Sequence, residues 1–300
     1  MSTAEIDVPG DWADEIDIPG GWAEAVRRIL DGPARRVAVL GPADAGKSAF
    51  CAALLRGAEA AGRSAALLDA DLGQKLTGPP ACVTLRPPGP GGAARGAGAE
   101  LAFVGALDPL RGWSRLVAGA ARLAGRARPQ DLVVANTGGL LAGAGRRLKA
   151  AKLAAMASDL LVAVGADPAL EAVLADHAAV PALRLAPSPR ARRKTRAERR
   201  AARREAFRRH FAGAGAWVAG AGELWVEDPA GAGRSAPPPE CLLLGLADAS
   251  GRDLALGILA GADAAGAVAV LAPVGRAAVA GLRLGLVRLD AAFDTLRPGP

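Results

Sequence analysis

Tyrosine is absent from this 300-residue chain, and aromatic residues as a whole make up 3% of it. Histidine occurs only as His177 and His210, and cysteine only as Cys51, Cys82 and Cys241. Two histidines argue against a His-based metal centre. Three widely spaced cysteines form neither a disulfide framework nor a zinc site, and they point to a reducing compartment. No run of about 18 uncharged, strongly apolar residues occurs, so no transmembrane helix is expected. The opening MSTAEIDVPGDWADE is acidic and unlike a secretory signal. The expected location is cytoplasmic, away from membranes. A hydrophobic fraction of 51% excludes polar disorder. Also missing is an N-K-x-D at a strand end, so nothing supports GTP specificity.

Charge is sparse, at 22% of residues, and unevenly placed. The chain has 37 Lys+Arg against 30 Asp+Glu, a net charge of +7. Residues 190–209, RARRKTRAERRAARREAFRR, account for more than all of that excess, so the remainder is slightly acidic. The segment lacks Gly and Pro and is built from helix-forming residues. Arg192, Arg196, Arg200 and Arg204 recur at i+4, as do Arg199 and Arg203. A helix with such like-charged ridges calls for a polyanion, either a phosphate ester or a nucleic-acid backbone.

The pattern of apolar runs organises the rest. Residues 6–15, IDVPGDWADE, are echoed by IDIPGGWAEA at 16–25, a local duplication too short for a solenoid. The second copy runs into a predicted helix, 21–30. Strands are predicted at 37–40, 65–69, 131–136, 160–165 and 182–185. Helices are predicted at 47–61, 112–124, 145–156 and 168–176, and 78–98 reads as a Gly/Pro-rich connection. Unalternating apolar strands that alternate with helices imply an α/β fold with a parallel sheet covered on both faces. After residue 213 the texture changes to short apolar runs broken by Gly, Pro and Asp, which predicts a small β-rich C-terminal domain. SAPPPE at 235–240 is a loop inside it. The expected division is therefore an extension at 1–32, a nucleotide-binding domain at 33–212 and the β-rich domain at 213–300.

The strongest chemical signal is Gly41-Pro42-Ala43-Asp44-Ala45-Gly46-Lys47-Ser48, a complete G-x-x-x-x-G-K-[ST] string. It follows a predicted strand and opens a predicted helix, the arrangement a phosphate-binding P-loop requires. Its successive amides and the helix N-terminus would face an anion. Lys47 would reach the β- and γ-phosphates, and Ser48 would ligate magnesium. The next strand ends in Leu67-Leu68-Asp69-Ala70-Asp71-Leu72-Gly73-Gln74. Asp69 or Asp71, just past a strand beside a P-loop, is placed to ligate metal or to accept a hydroxyl proton. Asn136 and Thr137, in DLVVANTGG, stand at a third strand end, where they would orient water, metal or an acceptor sugar.

Together, GPADAGKS, LLDADLGQKLTGPPACVTL and VVANTGG resemble the Clp1/Grc3 family of polynucleotide 5′-hydroxyl kinases. The likeness continues through FVGALDP at 103–109, the arginine segment ending in HF, and LLLGLAD and LALGIL near the C-terminus. The resemblance implies a P-loop kinase that transfers the γ-phosphate of ATP, with magnesium, to the 5′-hydroxyl end of RNA or DNA. It implies that Asp71 is the general base and that Gln74, Asn136 and Thr137 lie on the substrate side. It further implies a lid helix over 190–211 whose Arg199 and Arg203 clamp the transferring group. Arg196, Arg200 and Arg204 offer equivalent registers. Leu140 stands where the family often has an aromatic residue associated with the substrate nucleobase. The competing reading is a P-loop ATPase or ATP-binding scaffold in a nucleic-acid processing complex.

Overall fold

The computed structural model describes residues 19–87, 99–229 and 238–296. The echo at 6–15 lies outside the described residues, as do parts of the 78–98 and 235–240 connections. The first half of the chain alternates strands and helices: α1 (Gly20–Asp31), β1 (Arg36–Leu40), α2 (Lys47–Ala60), β2 (Ala65–Ala70), β3 (Cys82–Arg86), β4 (Glu100–Phe103), α3 (Trp113–Arg126) and β5 (Leu132–Thr137). It continues through α4 (Ala144–Met156), β6 (Leu160–Val164), α5 (Pro168–Asp176), β7 (Ala182–Leu185) and α6 (Arg196–His210).

The sheet has the order β4-β3-β2-β5-β1-β6-β7. From β2 to β7 it is parallel, as the unalternating runs predict. β3 and β4 extend it antiparallel, and β3 occupies residues read from sequence as connection. One apolar layer beneath α3, α4 and α5 includes Leu68, Leu116, Leu123, Leu148, Leu161 and Leu170. The other, beneath α1 and α2, includes Trp22, Ile29, Phe50, Leu54 and Val162. Helix starts follow local capping chemistry. Asp167 accepts a hydrogen bond from the Ala169 amide ahead of Pro168 at the first turn of α5. α6 begins at Arg196, six residues later than the start of the predicted lid helix. Thr195 and Glu198 there form a reciprocal capping box that fixes the start.

The remaining strands are β8 (Gly215–Ala219), β9 (Trp225–Glu227), β10 (Leu242–Ala247), β11 (Asp253–Ala262), β12 (Val268–Ala272), β13 (Gly281–Leu289) and β14 (Thr295–Leu296). They form a second, mainly antiparallel sheet, β14-β13-β10-β11-β12-β8, with β9 alongside β13. Its inner face packs on the first sheet and on the end of α6, through Phe103, Leu243, Leu256, Phe207 and Phe211. Phe211 also stacks on Phe293, with ring centroids 5.4 Å apart. His210, buried beside them, accepts the Leu256 amide hydrogen on its Nε2 at 3.0 Å. Buried Asp253 adds a polar tie: it accepts the Phe103 amide hydrogen and pairs with Arg122 and Arg283. The C-terminal end of the arginine helix is thus embedded in the seam between the two sheets.

Phe207 is fully buried in that seam. Phe207→Ala is expected to lower unfolding free energy by about 3–5 kcal/mol in urea titrations, the range for deleting a core phenylalanine. Burial also pushes the His210 imidazole down to about 4 from its ordinary 6.5. The unfolded chain therefore takes up a proton at a pH where the folded chain does not. The stability linked to neutral His210 is complete above pH 6.5 and is lost as the pH falls toward about 4. Across that window the wild type should lose more stability than His210→Gln. Carboxylates titrate in both proteins, so the difference between the two curves isolates the imidazole, and parallel curves would refute the assignment.

Candidate active site

The carboxyl ends of β1, β5 and β2 lie side by side, with Asn136 facing Val39 on one flank and Asp69 on the other. Three turns therefore open on one edge of the sheet, where open α/β sheets hold their ligands. They border a cavity of about 710 Å³, closed on a further side by the segment that leads into α6.

The first turn is the glycine-rich loop. Gly46 has φ +97°, a backbone that side chains strain to adopt, and a Cβ there would also crowd the Trp22 ring at 3.0 Å. α2 starts at the next residue, with its first-turn amides free of helical partners. Lys47 is buried and donates from Nζ to the Pro42 carbonyl at 2.6 Å. Burial lowers its pKa, and the charges of Asp71 and Asp44 partly oppose that. Ala43, Asp44, Gly46, Lys47 and Ser48 line the cavity, while Gly41, Pro42 and Ala45 complete the loop behind them. The turn after β5 presses directly on this loop: a Cβ on Gly139 would stand 2.5 Å from the Ala43 nitrogen.

The second turn is organised by a carboxylate that never reaches the surface. Asp69 has 0% exposure. It accepts from the Leu76, Thr77 and Asp71 amides and from Asn136 Nδ2. Lys75, whose side chain is 2% exposed, lies 3.4 Å away. Asp71, two residues on, lines the cavity. Its Oδ1 accepts from the Gly73 and Gln74 amides at 2.9 and 3.0 Å. Among the described residues nothing donates to its Oδ2. The open choice between the two aspartates thus resolves into a structural carboxylate, Asp69, and a cavity carboxylate, Asp71.

Asn136 and Thr137 are buried and do not line the cavity. Asn136 holds Asp69, and Thr137 donates to the Val39 carbonyl. Both side chains act beneath the cavity floor. Gln74 does line it, and its Nε2 donates to the Arg199 carbonyl at 3.3 Å. Arg199 reaches the cavity and pairs with Asp44. Arg203, one turn further along α6, lies outside the lining, and burial lowers its pKa. Leu140 is on the rim, 40% exposed.

Among the lining residues not singled out from the sequence are two buried lysines. Lys149 and Lys152 project from α4 and are 2% and 3% exposed. Lys149 Nζ donates to Thr137 Oγ1 at 3.0 Å and to the Gly138 carbonyl at 2.5 Å. Burial, with Lys152 and Lys47 nearby, lowers Lys149 well below the usual lysine range. Burial lowers Lys152 to about 8, against the opposing charges of Asp71 and Asp69. Their i, i+3 spacing within an otherwise apolar helix face was the available signal. With Lys47, Arg190, Arg192, Lys194 and Arg199 also in the wall and only Asp44 and Asp71 opposing them, the charge of the cavity suits an anion.

Among the described residues no helix is long and apolar enough to cross a membrane. The family described as mRNA cleavage and polyadenylation factor CLP1 P-loop matches residues 41–213. The polyribonucleotide 5′-hydroxyl-kinase of Pyrococcus furiosus is 29% identical over 202 residues, covering 62% of this chain and 54% of that protein. Its counterpart in Pyrococcus abyssi is 30% identical over 192 residues, with the same coverage. The chain spans about half the length of these curated relatives. The structure of a wild-type Clp1p–Pcf11p complex superimposes with a TM-score of 0.73 at 13% identity, over 89% of this chain and 78% of that one, a likeness of fold. Phosphate loop, sheet order and family pattern coincide over the same residues, and the chain belongs to the Clp1/Grc3 family of P-loop polynucleotide 5′-hydroxyl kinases.

Proposed function

We propose that this chain is an ATP-dependent kinase that transfers the γ-phosphate of ATP to the 5′-hydroxyl end of RNA or DNA. The observation that carries this reading is the convergence of Lys47, Ser48, Asp71 and Arg199 on one cavity. A phosphate loop alone serves many reactions. A carboxylate with an unengaged oxygen, across from that loop and under an arginine lid, suits a hydroxyl acceptor. The names of the archaeal relatives, polyribonucleotide 5′-hydroxyl-kinases, support the same acceptor.

The loop amides of 41–48 and the start of α2 would bind the triphosphate, and Lys47 is the side chain placed to reach its β- and γ-phosphates. Ser48 would ligate magnesium directly, and Asp71 would hold it through water. They suit it: both offer hard oxygen ligands, and this ion commonly takes one or two protein ligands plus substrate phosphates. When bound, magnesium neutralises charge on the transferring group. Asp71 orients the 5′-hydroxyl and takes its proton on Oδ2 as the new O–P bond forms and the bond to ADP breaks. The two amides on Oδ1 fix the direction of the other oxygen. Arg199 stabilises charge on the phosphoryl group, and Arg203 supports it from the next turn. Asn136 and Thr137 serve the acceptor side from beneath, by holding Asp69 and the floor, and Gln74 joins the acceptor turn to the lid.

The test is incubation with γ-labelled ATP, magnesium and matched RNA and DNA oligonucleotides bearing either 5′-hydroxyl or 5′-phosphate ends. Label should enter only 5′-hydroxyl ends. Asp71→Asn should lower the rate by about 10²–10⁴-fold, the usual contribution of a positioned base. Lys47→Ala should abolish detectable transfer. Hydrolysis of ATP that ignores the acceptor, with no labelled oligonucleotide, would replace this reading with the partner-driven ATPase.

The packing of Gly139 on the loop gives a separate expectation. Gly139→Ala forces the Ala43 backbone aside and should weaken ATP binding by more than about fivefold, the low end of an overpacking penalty of about 1–3 kcal/mol. Isothermal titration with a non-hydrolysable ATP analogue checks this, with circular dichroism confirming the fold. Unchanged affinity would show that the loop yields without cost.

A further inference from the structure

We propose that Asp44 is a positioning residue that latches the lid to the phosphate loop and aims Arg199 across the cavity. The inference rests on the kinase reading for its catalytic consequence, though not for the latch itself. Asp44 stands in the loop with φ +63°, a left-handed conformation that Asp, Asn and Gly tolerate better than most residues. That conformation turns the carboxylate away from the loop and toward the lid. Its Oδ2 accepts the Lys194 amide hydrogen at 3.1 Å and pairs with Arg199 Nη2. One carboxylate oxygen therefore grips both the segment before α6 and the helix itself.

The surroundings make the latch specific. The Asp44 side chain is 11% exposed and that of Arg199 25%, so solvent screens this pair less than the lid's other ion pairs. Arg192 pairs instead with Glu198, and Arg200 with Asp294, which leaves Arg199 as the arginine that Asp44 holds. Gln74 meets the Arg199 carbonyl from the opposite wall. The start of the same segment is tied down by Trp22 Nε1, which donates to the Ala186 carbonyl at 2.9 Å. The strap between β7 and α6 is thus fastened at both ends, and Asp44 is the fastening that includes a cavity arginine.

The experiment compares full-length wild type, Asp44→Asn, Asp44→Gly, Arg199→Ala and the Asp44→Asn/Arg199→Ala double variant. Asn and Gly both accept the left-handed backbone, so a shared effect reports the lost carboxylate and not a broken loop. The first readout needs no catalysis: the rate of tryptic cleavage within 190–196, followed by mass spectrometry. Cleavage should accelerate in both Asp44 variants and in Arg199→Ala. The second is phosphoryl transfer. Asp44→Asn should lower kcat by about 10- to 100-fold, as expected for a misaimed group, with a smaller change in KM for ATP. Acceptor-independent hydrolysis should take a larger share of turnover. In the Arg199→Ala background Asp44→Asn should change kcat by less than about twofold, because the two act as one unit. Unchanged cleavage rates, or effects that multiply in the double variant, would overturn the latch. Faster cleavage in the Asp44 variants of a wild type that transfers no phosphate would uphold the latch and sink the kinase reading instead.

Discussion

Asp69 places a carboxyl group where there is no exposed surface, and its neighbours are arranged around that fact. A buried carboxylate is tolerable only when donors converge on it. Here the donors come from the turn that follows β2, from Asn136 on β5 and from buried Lys75. Satisfying those two oxygens therefore bends the chain after β2 into one shape and locks β2 to β5. Asp71 and Gln74 ride on that bend. Their positions in the cavity are consequences of hydrogen bonds made to a residue that no ligand can touch. Asn136 belongs to the same arrangement, which explains why a residue at a strand end, where an acceptor contact would be expected, points into the protein.

The second constraint is the surplus of cations. Lys149 and Lys152 are buried yet bond to neutral oxygens: Thr137, the Gly138 carbonyl and, at 3.4 Å, the Ala70 carbonyl. Burial works against their charge, as their lowered pKa values register. A fold selected for stability alone would place leucine or methionine there. The arrangement makes sense when a polyanion supplies the missing negative charge, since the interaction is strong in a cavity wall with limited water. The same logic covers Lys47, which meets a carbonyl of its own loop. Four segments, α2, α4, the strap before α6 and α6 itself, thus contribute positive charge to one space.

The parts of this arrangement that the sequence discloses are those set by local backbone chemistry. GPADAGKS specifies its turn through glycine and carries the complete phosphate-loop string, so loop, preceding strand and following helix are all legible. The unalternating runs at β1, β5 and β6 disclose a doubly covered sheet. β3 was hidden because CVTLR is short and mixed, and it adjoins a Gly/Pro-rich stretch that signals connection. The start of α6 was misplaced because helix propensity is high from residue 190 onward, whereas the capping box at Thr195 and Glu198 decides the boundary. Lys149 and Lys152 escaped because charged residues on a helix ordinarily mark its solvent face, and an alanine-rich helix gives little contrast to correct that. Which of Asp69 and Asp71 faces the cavity depends on the β2–β5 pairing, which lies beyond local pattern.

The register of the lid arginines shows how packing resolves what spacing leaves open. Arg199, Arg203, Phe207 and Phe211 are separated by four residues each and form one ridge. Phe207 and Phe211 are buried in the seam between the two sheets, with Phe211 stacked on Phe293 and His210 beside them bonded to β11. Burying those two rings fixes the rotation of the helix, and that rotation turns Arg199 to the cavity. The neighbouring ridge, Arg196, Arg200, Arg204 and Arg208, is left exposed to solvent, where Arg200 and Arg208 find Asp294 and Glu205. The second sheet is accordingly part of the site although it contributes no lining residue. It holds the far end of the helix so that the near end presents one arginine, in one direction, to the phosphate loop.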